Sequence, residues 1–115
     1  MILPALYHWS PAGRHDDIRR NGLVPGSAAC IASGVLRHIC LSPTPSRAWT
    51  LSGATGWHET NAWDLWQVRL GPDDEVHIRP LFGDVLEEVN VRNVIPPDRV
   101  WWVARRDVEG VPADA

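Results

Sequence analysis

The start of the fold is set by residues 5–24, which read Ala-Leu-Tyr-His-Trp-Ser-Pro-Ala-Gly-Arg-His-Asp-Asp-Ile-Arg-Arg-Asn-Gly-Leu-Val. The apolar and aromatic run at residues 5–9 lies between two prolines and predicts a strand that carries a histidine. The polar stretch at residues 12–21 has Ile18 as its only large apolar residue and predicts a short surface helix. Gly22 suits a left-handed C-cap, so we expect the helix to end there.

The remainder of the chain alternates apolar runs with glycine and proline turns. Ser46 is expected to cap a second helix, which Gly53 ends. Further strands are expected at residues 35–42, 63–70, 76–81, 85–91 and 100–103. Six strands with two or three short helices predict an α+β fold. Residues 1–108 are expected to form a single domain and residues 109–115 a loose tail.

The composition excludes several kinds of chemistry. The chain has 115 residues, with 11 basic and 14 acidic side chains and a net charge of -3. All the basic side chains are arginines, so chemistry that needs a lysine, such as a Schiff base or a P-loop, is excluded. The mild acidity argues against a nucleic-acid binder that relies on bulk neutralisation of phosphates, although a local arginine groove remains open.

The two cysteines, Cys30 and Cys40, stand ten positions apart without a Cys-x-x-Cys motif. They predict neither a zinc site nor a disulfide framework and are typical of a reducing compartment. The chain begins without a basic segment followed by an apolar one and has no apolar run of 18 residues, so we expect a cytoplasmic protein with no membrane partner.

The common nucleotide and hydrolase motifs are missing from the sequence. The one adjacent His-Glu pair, His58-Glu59, has no second ligand at helical spacing, so no metal site is expected. The seven tryptophans are unusual for this length. Most are expected in the core, and Trp57, in a glycine-rich polar loop, is expected to be exposed.

The order of these elements resembles the ADP-ribosyltransferase fold. Residues 6–8, residues 18–25 and residues 38–42 with Ala48 are similar to the core of the RNA 2'-phosphotransferases and of the DNA-modifying ADP-ribosyltransferase toxins of toxin-antitoxin systems. The segment at residues 88–100 is similar to the Glu-Val-x-Val, Ile-Pro-Pro segment in which NAD-using transferases place their catalytic glutamate. The phosphotransferases have no glutamate there.

The resemblance covers most of residues 6–103 and implies a split β-sheet core with NAD as co-substrate. It implies that Glu88 is the catalytic carboxylate, which stabilises an oxocarbenium-like state and orients or deprotonates the acceptor. Glu87 points to the opposite face of the same strand, and one of the two is a bystander. His8 is implied to donate to a ribose hydroxyl, and Ser42 to orient the glutamate.

The NAD-binding residues implied by the resemblance are His8, Trp9, Ser10 and Arg47. Relatives have a glycine after the histidine, which gives the nicotinamide amide access to the backbone, whereas Trp9 stands there in this chain. Arg47 combines a cation with the amides at a helix start and is expected to hold the pyrophosphate. Arg14 and Arg37 are its rivals.

Structural interpretations compete with these roles. A histidine on an apolar strand is often a hydrogen-bonded core residue, a serine before a proline is often a turn residue, and a tryptophan most often packs. Glu88 has its own alternative as a solvated strand carboxylate.

Three functions remain open at this point. The first is an NAD-dependent ADP-ribosyltransferase that releases nicotinamide and modifies a nucleic-acid or protein acceptor, or an NAD glycohydrolase if water is the acceptor. The second is an RNA 2'-phosphotransferase, with arginines and His38 for the phosphate. The third is a non-catalytic module that binds NAD, ADP-ribose or a nucleic-acid end.

Overall fold

A computed structural model of the chain describes residues 5–25, 39–52, 62–81 and 86–107. The strands are β1 (Ala5–Pro11), β2 (Ile39–Leu41), β3 (Ala62–Arg69), β4 (Val76–Leu81), β5 (Leu86–Val91) and β6 (Val100–Asp107). The helices are α1 (His15–Asn21) and α2 (Pro45–Ser52), and 3₁₀ turns at Ala12–Arg14 and Pro97–Arg99 precede α1 and β6. This mixture confirms the predicted α+β class. No helix in these residues is long and apolar enough to cross a membrane.

The strands form two antiparallel sheets of three strands each, in the orders β1-β3-β6 and β2-β5-β4. Among the described residues, one isolated backbone bridge joins the sheets, since Tyr7 and Ser42 each donate a backbone N–H to the other's carbonyl, at 2.8 and 3.0 Å. Because this bridge is isolated, β1 and β2 do not continue as a ladder beyond it.

Apolar side chains from both sheets meet in one buried cluster. Helix α1 contributes Ile18, which is fully buried, and this is the single large apolar residue that the sequence identified in that segment. The cluster consists of Leu6, Ile18, Leu23, Ile39, Leu41, Trp66, Val68, Val89, Val91, Ile95 and Val100. Burying a side chain of this size contributes about 1.5–3 kcal/mol, so the cluster holds the two sheets in a fixed relation.

Several predicted boundaries shift in the structure. Helix α2 begins two residues earlier than predicted, because Thr44 rather than Ser46 caps it, with the backbone N–H of Arg47 donating to Thr44 Oγ1 at 3.1 Å. Pro45 takes the first helical position, where its missing N–H costs nothing. Strand β6 continues to Asp107, four residues beyond the prediction. Residues 35–38 of the predicted second strand and the tail at 109–115 lie outside the described residues.

The burial of the tryptophan side chains differs from the prediction. Trp63 and Trp66 are buried, but Trp101 and Trp102 are 44% and 41% exposed, so the expectation that most tryptophans lie in the core is wrong for these two. The physical reason is that β6 is the outermost strand of its sheet in the part of the chain that the structure describes, and its outer rim meets solvent. Trp57 lies outside the described residues.

The turn between β3 and β4 is fastened to the segment that follows β5. Asp74 accepts two hydrogen bonds from the Arg99 guanidinium, at 2.6 and 3.1 Å, and others from the Gly71 N–H and the Asn93 amide, both at 2.7 Å. The hydrogen bonds from Arg99 hold the pKa of Asp74 below its ordinary value, against the opposing effect of burial. This clamp fixes the end of β5 relative to β3.

Candidate active site

His8 lies in the middle of β1, on the same face as Leu6 and Ser10. Its side chain is 6% exposed, and its Nδ1 lies 2.9 Å from the carbonyl oxygen of Cys40 in β2. Because a carbonyl oxygen only accepts, Nδ1 must carry the proton and donate it. The imidazole therefore links the two sheets, and the backbone of the second sheet sets its orientation.

Ser42 and Glu88 come to opposite positions on adjacent strands. Strands β2 and β5 are antiparallel with Leu41 opposite Val89, and the same register carried one residue further sets Ser42 opposite Glu88. The backbone N–H and C=O of Ser42 point to Tyr7 in β1 and therefore away from β5. Ser42 and Glu88 thus form a non-hydrogen-bonded pair, the kind in which facing side chains lie closest. Their side chains are 1% and 7% exposed.

The alternation along β5 decides which face the glutamate occupies. Val89 and Val91 belong to the buried apolar cluster, so Glu88 and Asn90 share the other face. That face is also closed to solvent, since Asn90 is 5% exposed. Glu88 is therefore not a solvated strand carboxylate, which was the alternative that the sequence left open. Glu87 pairs with Pro80 in β4, and its side chain lies outside the described residues.

Of the three residues proposed as catalytic from the sequence, His8 lies in β1, Ser42 directly after β2 and Glu88 in β5, all near the bridge between the sheets. His8 is one residue from Tyr7, Ser42 is the bridge partner of Tyr7, and Glu88 is opposite Ser42. A carboxylate withdrawn from water interacts more strongly with a nearby positive charge than an exposed one does, because the local dielectric constant is lower. The arrangement suits the stabilisation of a positive charge that develops during a reaction.

Trp9 holds helix α2 against β1. Its indole Nε1 donates to the carbonyl oxygen of Pro45 at 2.9 Å, and its ring meets the Trp49 ring edge-on, with 5.0 Å between centroids. Trp49 also lies edge-on to Trp63, at 6.3 Å, and the Arg106 guanidinium lies 4.1 Å from the Trp49 centroid. The indole of Trp9 is therefore engaged in packing, the alternative weighed against its stacking on a ligand ring.

Ser10 and Arg47 lie in very different surroundings. Ser10 is fully buried, and its Oγ has no hydrogen-bond partner among the described residues. Arg47 is exposed in the first turn of α2, and its backbone N–H is occupied by the Thr44 cap, so only the guanidinium is left to meet an anion. Of its rivals, Arg14 is exposed and Arg37 lies outside the described residues.

Asp64 forms a buried network that the sequence did not reveal. The carboxylate is fully buried in β3 and accepts hydrogen bonds from His15 Nδ1 at 3.0 Å, from Trp102 Nε1 at 3.0 Å and from Arg105 at 2.8 and 3.1 Å. Burial disfavours the charged form, but the hydrogen bonds from Arg105, Trp102 and His15 outweigh it and hold the pKa of Asp64 below its ordinary value of 3.8. The network ties β3 to β6 and to the start of α1.

One feature of the sequence indicates that Asp64 is unusual. It is a charged residue between Trp63 and Leu65 in a run that is otherwise apolar. Its partners could not be identified, since they stand 38 to 49 positions away. A buried charge of this kind requires partners, which is a reason to look for them once the strands are paired.

Replacement of Asp64 by asparagine should lower the free energy of unfolding at neutral pH by about 2 kcal/mol, since charge-assisted hydrogen bonds to a buried carboxylate are lost. For a domain of this size the corresponding fall in Tm is on the order of 8 °C. The control is Asp73→Asn, which removes the same charge from an exposed turn position and should change Tm by no more than about 2 °C. Thermal unfolding of the three proteins measures both effects.

The effect of Asp64→Asn should also depend on pH. Because the folded pKa lies below the unfolded value near 3.8, the stabilisation by the carboxylate is complete well above that pH and is lost as the pH falls through the folded pKa. The difference in Tm between wild type and variant should therefore shrink as the pH falls below about 4. A difference that stays constant down to about pH 2 would contradict the assignment of the network to an ionised carboxylate.

Comparison of the chain with protein-family models, with curated proteins and with solved structures gives no match. The function therefore has to be inferred from the residues and their geometry.

Proposed function

We propose that the chain is an NAD-dependent ADP-ribosyltransferase with Glu88 as its catalytic carboxylate. The observation that carries the proposal is the burial of Glu88 opposite Ser42, near the bridge that links the two sheets beside His8. Buried titratable groups are enriched at functional sites. The division into two sheets of three strands supports the resemblance to the ADP-ribosyltransferase fold, in which a split sheet is expected.

The backbone of Trp9 supports the same proposal. The N–H and C=O groups of successive residues in a strand point to alternate sides. Those of Tyr7 point to β2, so those of Trp9 point to the same side of β1. The side chain that replaces the glycine of the relatives is held by α2 through its indole. A nicotinamide amide would therefore still meet the backbone at residue 9.

Each proposed residue has one task in the transfer. NAD supplies an ADP-ribosyl group whose bond to nicotinamide breaks, with the electron pair leaving on the nicotinamide nitrogen. Glu88 balances the positive charge that develops on the ribose and takes the proton of the acceptor nucleophile as that nucleophile bonds to the ribose carbon. Ser42 orients the carboxylate. His8 donates to a ribose hydroxyl, and Arg47 pairs its guanidinium with the pyrophosphate.

The experiment that tests the proposal uses NAD labelled in the nicotinamide ring. We expect the purified chain to release labelled nicotinamide above the rate of a blank without protein, first with water alone and then with single-stranded DNA, RNA or a protein mixture as acceptor. Label placed in the adenosine part should move to the acceptor class that accelerates release. Acceleration by one class identifies the acceptor, and release that no acceptor changes identifies an NAD glycohydrolase.

The alternatives give different results in the same assay. Binding of NAD without release under any condition would leave the non-catalytic module. Consumption of NAD only with an RNA that carries an internal 2'-phosphate, with loss of that phosphate, would establish the phosphotransferase. The observation against the phosphotransferase is the presence of Glu88, because those enzymes have no glutamate at this position. Absence of both binding and release would overturn the proposal.

A further inference from the structure

The side-chain amide of Asn90 is a buried polar group with an unfilled hydrogen-bonding capacity. Asn90 is 5% exposed, and its Oδ1 is enclosed without a hydrogen-bond partner among the described residues. Leaving an amide oxygen in this condition costs about 1–3 kcal/mol, and most buried side-chain polar atoms in native proteins have a partner. An apolar residue of similar volume would avoid this cost at the same place.

The position of Asn90 connects it to the proposed site. It stands two residues after Glu88 on the same face of β5. In the register of β2 and β5 it lies opposite Cys40, whose carbonyl oxygen accepts the hydrogen bond from His8. The backbone of Cys40 faces β1, so Cys40 and Asn90 form a non-hydrogen-bonded pair. In such a pair the two side chains lie side by side on the same face of the sheet. The unfilled acceptor is thus adjacent to the groups that hold the ligand in the proposed function.

We propose that Asn90 is a specificity-determining residue, whose Oδ1 accepts a hydrogen bond from a neutral N–H or O–H donor of the ligand that Glu88 acts on. The inference rests on the proposed function and adds a residue to it. Two parts of NAD next to the bond that breaks carry such donors, namely the carboxamide of nicotinamide and the hydroxyls of the ribose attached to it. A neutral donor satisfies the amide without bringing a second charge next to the glutamate.

The test compares the wild type with Asn90→Leu and Asn90→Ala. Isothermal titration measures the binding of NAD and of ADP-ribose, and thermal unfolding measures Tm without ligand. We expect Asn90→Leu to keep or raise Tm, because the unsatisfied amide is removed, while the Kd for NAD rises at least about tenfold. Asn90→Ala provides the binding measurement if leucine does not fit. Asn21→Ala, at an exposed position on α1, should bind as the wild type does.

Comparison of NAD with ADP-ribose shows which part of NAD carries the hydrogen-bond donor to Asn90. Weakened binding of NAD with unchanged binding of ADP-ribose assigns it to the nicotinamide carboxamide, and weakened binding of both assigns it to a ribose hydroxyl. If the wild type binds NAD and both Asn90 variants bind it equally well, the inference about Asn90 fails and the proposed function stands. If the wild type binds neither NAD nor ADP-ribose, the proposed function fails and the inference fails with it.

Discussion

Release of nicotinamide should fall at least about 100-fold when Glu88 is replaced by glutamine, while the Kd for NAD changes by less than about threefold. Glutamine has nearly the same shape as glutamate, so it fills the same buried space opposite Ser42. It has no negative charge, however, and cannot take a proton from the acceptor. Removal of one group that stabilises developing charge typically costs about 2.7–4 kcal/mol of barrier, which corresponds to a factor of 100 to 1,000.

The separation of rate from affinity is what makes the result specific. A carboxylate that acts only as charge develops contributes little to the binding of uncharged ribose in the ground state, so the rate should fall without an equal loss of affinity. A variant that had lost its fold would lose both together. In thermal unfolding, the Tm of Glu88→Gln should lie no more than about 4 °C below that of the wild type.

Two further variants serve as controls for the same chemical change. Glu75→Gln replaces an exposed carboxylate and should leave nicotinamide release unchanged. Glu87→Gln changes the neighbouring residue, whose position alternates to the other side of β5. If Glu87→Gln abolished release and Glu88→Gln did not, the assignment of the catalytic carboxylate to Glu88 would be wrong.

Local patterns were sufficient to predict most of the elements. The proline limits and aromatic run predict β1, the alternation of Trp63 to Leu70 predicts β3, and the position of Ile18 identifies the buried side of α1. These features depend on neighbours within a few residues, so they can be predicted from the sequence. The cap at Thr44 was missed because serine and threonine are nearly equivalent as N-caps, and Pro45 at the first helical position decides between them.

Features that depend on strand order were not predictable in this way. Trp101 and Trp102 are apolar residues in a strand pattern, and only the edge position of β6 exposes them. The partners of Asp64 come from two elements, α1 and β6, that are distant from it in sequence. For the candidate site, the sequence indicated His8, Ser42 and Glu88 through a resemblance. The unfilled amide of Asn90 emerged only when β5 was paired with β2, since an asparagine in a strand has no pattern of its own.

The end of α1 leaves no room for a side chain at Gly22. Gly22 has φ +75°, a backbone conformation that residues other than glycine rarely adopt. Its N–H donates to the Ile18 carbonyl at 2.8 Å and so forms the last hydrogen bond of the helix. The next residue, Leu23, pairs with Ile95 through two backbone hydrogen bonds of 2.9 Å. This pairing draws the segment that follows β5 against the helix end. A Cβ at Gly22 would overlap the Ile95 carbonyl oxygen and lie 2.9 Å from backbone atoms of both Pro96 and Pro97.

Gly22→Ala should therefore lower the free energy of unfolding by about 3 kcal/mol, measured by urea unfolding, through the cost of the positive φ together with the overlap. The atoms in the way belong to the backbone of a segment that contains two prolines, so they cannot rotate aside as a side chain would. Gly13→Ala is the matched control, because a Cβ there would have no heavy atom within 4 Å, and its stability should change by less than about 0.5 kcal/mol. Equal stability of the two variants would mean that residues 95–97 do not pack against the end of α1. In that case, the position of β5 and of Glu88 relative to β1 would lose one of its supports.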